Sequence, residues 1–156
     1  MKLFVVAVGR VKNDGVRSLC DEYKGRIQRL LKIEELEVAE TKGKKLTASQ
    51  VMAGEAVSLR KVLPAGATTV ALTRTGNAYD SKKFADLVDR WMVNAKDVAF
   101  LIGGANGLDP QLVRESDFGL SLSSLTFPHE IARLVLMEQI YRATSILRGE
   151  PYHKGE

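Results

Sequence analysis

Apolar residues along the chain fall into two alternating patterns: short continuous runs, and stripes spaced three and four residues apart. The runs, at residues 3–8, 33–38, 68–72, 98–102 and 118–122, predict strands. The stripes predict helices that begin near Asn13 or Asp14, Thr47, Ser81, Asp109 and Pro128. The run at 33–38 alternates with glutamates, as expected of a half-exposed edge strand. Regular alternation of strand and helix predicts an α/β fold, a mainly parallel sheet with helices on both faces, in a single domain spanning residues 1–156.

Three predicted loops follow strands of this sheet at their carboxyl ends, which is where ligands of such sheets bind. They are residues 73–79, 103–108 and 123–127. The second contains Gly103, Gly104 and Gly107, which allow positive φ and let a ligand lie against bare backbone. It has neither the spacing of a dinucleotide fingerprint nor the Lys-Ser or Lys-Thr of a P-loop. A tight structural turn and a binding loop fit it about equally well, so the pattern predicts a pocket without naming its ligand.

The predicted final helix, residues 128–147, is apolar on most of its sides. Such a helix is buried on most sides, either in a large core or against another subunit. Glu138 and Arg142 lie four residues apart, in the order that favours an ion pair on the helix surface. The segment after the helix carries Tyr152, His153 and Lys154, groups that can stack on a base and hold a phosphate. A frayed terminus without function is the alternative.

Composition and charge narrow the class of protein. The net charge of +4 favours a polyanionic partner. Cys20 is the only cysteine, which excludes an intrachain disulfide and suits the cytoplasm, and two histidines without a cysteine cluster predict no metal site. No apolar run is long enough to span a membrane. Basic residues concentrate in two places. One is a loop with Lys42, Lys44 and Lys45, for which a solvated loop is the favoured interpretation, and the other, near the C-terminus, has Arg133, Arg142, Arg148 and Lys154.

Four motifs make the sequence similar to a known family. They are IGGANGL at 102–108, LSLSSLTFPH at 120–129, EQIYRA at 138–143 and PYHK at 151–154. With the opening Ala7-Val8-Gly9 and the overall length, they resemble the large-subunit rRNA methyltransferase H family of the SPOUT class, over the whole chain. The resemblance implies methylation of N3 of a pseudouridine in 23S rRNA, conventionally position 1915, with S-adenosylmethionine as donor. It also implies a homodimer with a trefoil knot near the C-terminus.

The same resemblance implies where the reaction takes place. His153 is the candidate proton acceptor, Arg142 the candidate stabiliser of the developing anion, and Tyr152 the candidate for stacking or orienting the base. His129, directly after a proline at a helix start, is a weaker candidate for which a structural role is favoured. Asn77 stands where the family usually has a lysine. The methyl donor would contact residues of the three loops chosen above: Leu72, Gly103, Leu122, Ser123, Ser124, Leu125, Thr126 and Phe127.

Three other functions compete with this one. The first is a nucleotide-binding module without catalysis, against which the missing nucleotide fingerprints count. The second is a structural protein that binds ribosomal RNA only, which methyl transfer into rRNA would exclude. The third is a SPOUT methyltransferase acting on another RNA such as tRNA, against which the short chain without an appended RNA-binding domain counts. We expect so small a chain to need its homodimer partner and the assembled ribosome to select one nucleotide.

Overall fold

The computed structural model describes residues 1–155, which form a five-stranded sheet and five helices. The sheet order is β2-β1-β4-β3-β5 and every pairing is parallel, so the predicted α/β fold is confirmed. The trefoil knot stays a prediction. The strands are β1 (Lys2–Val8), β2 (Lys32–Val38), β3 (Thr68–Ala78), β4 (Val98–Ile102) and β5 (Phe118–Ser121). The helices are α1 (Asp14–Gln28), α2 (Ala48–Val62), α3 (Ser81–Val93), α4 (Pro110–Glu115) and α5 (His129–Leu147).

Different helices cover the two faces of the sheet, because successive strand residues point to opposite sides. In β1, Leu3 and Val5 pack into a buried cluster with apolar residues of α1, α3 and α5. Their neighbours Phe4 and Val6 pack into a second cluster with residues of α2 and α4. None of the helices in residues 1–155 is long and apolar enough to cross a membrane.

Polar residues cap the helices at the carboxyl edge of the sheet. Asn13, rather than Asp14, caps α1 by accepting a hydrogen bond from the Val16 backbone N–H. Thr47, at the predicted start of α2, forms a capping box with Gln50, in which each side chain accepts from the other's backbone N–H, at 3.1 and 2.9 Å. Because each of these helices begins beside the end of a strand, the loops between them converge on one edge.

The predicted loop at 73–79 is largely an irregular extension of β3, so the expected strand end at Leu72 was wrong. Leu72 and Asn77 both pair with Leu120 of β5, and residues 73–76 bulge out between the two pairings. Gly76 lies against β5 so closely that a Cβ there would be 2.6 Å from the Leu120 nitrogen. A residue without a side chain is therefore what lets β3 continue past the bulge.

Three predictions about burial were wrong. Leu19 and Met92 lie in the apolar stripes of α1 and α3, which predict burial, but they are 44% and 39% exposed. Arg133, one of the basic residues near the C-terminus that would suit a polyanionic partner, is 1% exposed. Its guanidinium contacts the carboxylates of Glu35 and Glu37 on β2 and donates to the Gly9 carbonyl, which is 2.8 Å away. The glutamates that indicated a solvent-facing strand thus neutralise a buried cation that ties α5 to the sheet.

Candidate functional site

A cavity of about 430 Å³ opens at the carboxyl edge of the sheet, between the bulge of β3 and the segments that follow β4 and β5. This volume is within the range of small-molecule sites. The predicted donor contacts in its lining are Leu72, Gly103, Leu122, Ser123, Leu125, Thr126 and Phe127. Ser124 is exposed and lies outside the lining. The rule that ligands bind at strand ends therefore leads to one cavity shared by all three segments.

The glycine-rich segment forms one wall of the cavity through its backbone. Gly103 is buried, and a Cβ there would lie 2.3 Å from the carbonyl carbon of Gly107 and 2.5 Å from its oxygen. The Gly107 N–H donates to the Gly104 carbonyl at 3.0 Å, and Gly107 has a φ of +81°. The two sequence-based interpretations, a tight turn and a binding loop, apply to the same segment, because the turn itself lines the cavity.

A second wall, residues 122–127, is held in place by its own serines. The Ser121 hydroxyl donates to the Ser123 carbonyl, and the Leu125 N–H donates to Ser123 Oγ, both at 3.0 Å. Leu125 is 70% exposed at the rim, whereas Phe127 is half-buried. The wall contains no ionisable side chain, so it offers backbone groups and apolar surface to a ligand.

Two residues of the lining can carry positive charge. Arg74 is exposed on the bulge of β3, and His129 is half-buried at the first position of α5. The sequence favoured a structural role for His129, but the residue lines the cavity. Its position in the sequence could have indicated this, because His129 directly follows the segment that joins the end of β5 to α5.

A buried carboxyl group lies directly behind the glycine-rich wall. Glu55 of α2 is 4% exposed, and its Oε1 accepts a hydrogen bond from the Thr41 N–H at 3.3 Å. A Cβ on Gly104 would lie 3.1 Å from both of its oxygens. Burial raises the pKa of Glu55 and the nearby Glu40 raises it further, which outweighs the opposing effects of the Thr41 hydrogen bond and of His129.

The three candidate catalytic residues come together in one cluster. The Arg142 guanidinium lies 3.3 Å from His153 Nδ1 and over the Tyr152 ring, 4.9 Å from its centroid. Arg142 Nε and the Tyr152 hydroxyl both donate to Glu138 Oε1 at 3.0 Å. The predicted Glu138–Arg142 pair is therefore present. Burial, and then the hydrogen bonds of Tyr23 and Glu138, raise the pKa of Tyr152, so its hydroxyl stays protonated.

This cluster lies away from the cavity of its own chain. Helix α5 begins with His129 at the cavity, and Arg142 follows thirteen residues later. At about 1.5 Å per residue the helix separates the two by roughly 20 Å. A depression of about 600 Å³ beside the cluster is lined by residues of α1 such as Arg26, by Arg29 at its end and by Tyr141 of α5. It is a shallow surface feature that contains none of the predicted site residues.

Comparison with known proteins identifies the family. A family model described as "Predicted SPOUT methyltransferase" matches residues 1–153. The chain belongs to this family. It is also 46% identical over 153 residues to the ribosomal RNA large subunit methyltransferase H of Sorangium cellulosum, with 97% of this chain and 99% of that protein covered. The protein of the same name from Dechloromonas aromatica is 43% identical over 155 residues, with 99% of each chain covered.

The SPOUT assignment agrees with solved structures of similar fold. A probable methyltransferase from Bordetella pertussis superposes with a TM-score of 0.57 at 14% identity, covering 91% of this chain and 95% of the other. A putative methylase family protein from Neisseria gonorrhoeae gives 0.51 at 14% identity, covering 99% of this chain and 87% of the other. These likenesses show the fold alone. The family membership shows that the protein is a methyltransferase.

The sequence indicated the segment that contains Thr73, Arg74 and Thr75, but as an open loop and not as a bulge of β3. Val113 of α4 and Ala132 of α5 also line the cavity of this SPOUT protein, and the sequence indicated neither of them. Ala132 comes one helical turn after His129, so it points to the same side of α5. That spacing was available in the sequence once His129 was placed at a strand end.

Proposed function

We propose that the protein transfers the methyl group of S-adenosylmethionine to N3 of a pseudouridine in 23S rRNA, at the position conventionally numbered 1915. The observation that carries the proposal is the cavity at the ends of β3, β4 and β5. Its lining contains nearly all the residues that the family resemblance assigns to the methyl donor. The names of the two relatives above support ribosomal RNA as the acceptor.

The chemistry of the lining fits this donor. S-adenosylmethionine, when bound, supplies an electrophilic methyl carbon on a positively charged sulfur. Residues 122–127 place no fixed cation against that charge. Gly103 lets the glycine-rich turn close tightly on Gly107, so that backbone groups line the cavity beside it. Leu122 and Phe127 provide apolar surface for a flat heterocycle. Most of the acceleration of such a displacement can come from holding the acceptor nitrogen in line with the methyl carbon, worth up to about 7–11 kcal/mol.

The tail cluster supplies the groups that the acceptor needs, because N3 of pseudouridine must lose a proton. Arginine has only hydrogen-bond donors, so His153 Nδ1 is the acceptor in its contact with Arg142. Nδ1 is then the atom that accepts the N3 proton, once Arg142 turns from His153 to the anion that develops on the base. Tyr152, packed edge-on against Tyr141 at 4.7 Å, orients the base as a neutral phenol.

The proposed enzyme is a homodimer in which each tail serves the cavity of the other chain. The separation of roughly 20 Å along α5 keeps Arg142 from the cavity of its own chain. Helix α5 offers half-buried apolar side chains, including Ile131, Leu134 and Val135, as the surface for a second copy. We further propose that the dimer acts in the cytoplasm on the assembled ribosome, whose shape helps to select the nucleotide.

Methyl transfer with isotopically labelled donor tests the reaction. We expect label in N3-methylpseudouridine after digestion of 23S rRNA from treated ribosomes, identified by nucleoside mass mapping. We expect His153→Ala and Arg142→Ala to bind the donor normally and to transfer it far more slowly. Full turnover by both variants would remove these residues from the chemistry, and the absence of label from 23S rRNA with the unmodified protein would overturn the proposed function.

Mixing two inactive variants tests the shared site. Gly103→Ala is designed to disable the cavity and His153→Ala the tail. When the two variants reassort at random, about half of the dimers contain one chain of each. In such a dimer the unmodified cavity of one chain meets the unmodified tail of the other, so one of its two sites is intact. About one quarter of full activity should therefore return. If each tail serves its own cavity, the mixture stays inactive.

A further inference from the structure

The loop that joins β2 to α2 carries three lysines without partners in the described chain. Lys42, Lys44 and Lys45 are all exposed. Within residues 1–155 no carboxylate lies at ion-pair distance from any of them; the lysines that form such pairs are Lys2, Lys12, Lys24 and Lys83. Lys42, Lys44 and Lys45 are three of the 23 lysine and arginine residues of a chain whose net charge is +4. Their charges are therefore available to an external anion.

The base of this lysine loop is fixed beside the cavity. Thr41, directly before Lys42, donates its backbone N–H to Glu55, the carboxyl group that also touches Gly104 of the cavity wall. Thr41 packs onto α2 as well, since a Cβ on Gly54 would be 2.8 Å from its Oγ1. A single buried carboxyl group thus separates the start of the lysine loop from the glycine-rich turn, and this contact is stronger evidence for a function than exposure alone.

The sheet order gives the distance between the lysine loop and the cavity. The loop follows β2 and the glycine-rich turn follows β4, with only β1 between them. Neighbouring strands lie about 4.8 Å apart, so the two segments leave the sheet about 10 Å apart. Along one strand of a DNA duplex, phosphates follow each other at about 3.4 Å of rise. A span of about 10 Å is therefore on the order of a few nucleotides of backbone.

We propose that Lys42, Lys44 and Lys45 form a docking surface for the sugar-phosphate backbone of the substrate RNA, a few nucleotides from the base that enters the cavity. The inference rests on the proposed function, because it takes RNA as the substrate. Lysine suits this role, since its flexible ammonium contacts phosphates as a point charge without reading sequence. The surface binds and orients RNA, and the chemistry remains in the cavity.

The chain offers a matched control at the opposite edge of the sheet. Lys32 begins β2, Lys61 lies in the last turn of α2 and Lys96 precedes β4. All three are exposed, and they form no ion pair with the described residues. Replacing either set with glutamine removes three charges, so the two variants have equal net charge. They differ only in which edge of the sheet loses it.

Salt-dependent binding separates local phosphate contacts from the overall charge. The unmodified protein and both triple variants are titrated with a 23S rRNA stem-loop and with large ribosomal subunits over a salt series. Each phosphate contact makes the slope of log K against log salt steeper by about 0.7–0.9. The magnitude of this slope should therefore be smaller by about 2–3 for the K42Q/K44Q/K45Q variant. The control triple should lose less than half as much. For the lysine-loop variant, KM for RNA should rise while kcat and donor affinity stay unchanged.

A lysine-to-arginine triple at the same positions should restore the slope, because it restores the charges. Unchanged RNA binding by the K42Q/K44Q/K45Q variant would overturn the inference, and so would equal losses in both glutamine triples. Normal binding to free rRNA with weakened binding to whole subunits would point to a ribosomal protein instead, and would also overturn it. If the unmodified protein methylates no RNA, the proposed function fails. If it methylates normally and the loop variant does so with an unchanged KM for RNA, this inference alone fails.

Discussion

Replacing Gly103 with alanine is the most direct test of the cavity wall. The added Cβ would lie 2.3 Å from the carbonyl carbon of Gly107, 2.5 Å from its oxygen and 2.6 Å from the nitrogen of Leu108. Ordinary contacts of a Cβ begin at 3.4 Å. All three neighbours are backbone atoms, so no side-chain rotation can relieve the overlap, and the turn itself must move by about 1 Å.

The size of this movement sets the expected effect. A misplacement of about 1 Å in a positioning group can lower a reaction rate about 100-fold. We therefore expect Gly103→Ala to lower kcat/KM for methyl transfer by about two orders of magnitude and to weaken donor binding. The sheet should stay folded, because the substitution adds volume at an edge turn and removes no contact from either buried cluster.

Gly66→Ala is the matched control for this substitution. Gly66 has a φ of +76° in the turn between α2 and β3, and a Cβ there meets nothing within 4 Å. The variant carries the backbone strain of a left-handed alanine, about 1–2 kcal/mol, far from the cavity. Donor affinity by calorimetry, methyl transfer and urea unfolding should be measured on both variants. Equal donor affinity and transfer rates in the two would refute the assignment of Gly103 to the wall.

Two further predictions concern buried charges. Arg133→Met leaves Glu35 and Glu37 without a shared partner, and we expect a loss of about 3 kcal/mol in the urea-derived free energy of unfolding; unchanged stability would contradict the ion-pair network. Glu55→Gln tests the second buried group, a carboxyl group whose pKa is raised in the folded chain. The protonated Glu55 is compatible with burial below the unfolded pKa of about 4.5, and folding becomes less favourable as pH rises, because the buried group must then ionise. The variant should gain stability over the unmodified protein between pH 5 and 8, and a difference that is constant with pH would refute this.

The fold could be predicted where one local pattern dominates. The run Val98–Ile102 is apolar throughout and became β4 with the predicted bounds, because a strand buried on both faces leaves no room for polar residues. The end of β3 could not be predicted in this way. Thr75, Gly76 and Asn77 have the composition of a turn, and their pairing with β5 depends on contacts with residues more than 40 positions away.

The burial of charged residues could not be predicted from the sequence, for a related reason. Periodicity records where apolar residues recur, and it assigns a charged residue to the surface by default. Arg133 is buried because Glu35 and Glu37, almost a hundred residues earlier, face it from β2. Glu55 is buried because the glycine-rich turn covers it. In both cases the partner belongs to a distant element, so one helix considered alone could not reveal the burial.

The separation between the cavity and the tail cluster, in contrast, could have been calculated from the sequence. The strand-end rule placed the ligand beside the start of the final helix, and the pattern extended that helix to about residue 147. A helix of 19 residues is about 28 Å long, so anything at its far end is remote from a cavity at its start. Tyr152 and His153 follow that far end and contact Arg142. If they act on a base beside the donor, a single chain is insufficient, and the length of α5 itself becomes an argument for the dimer.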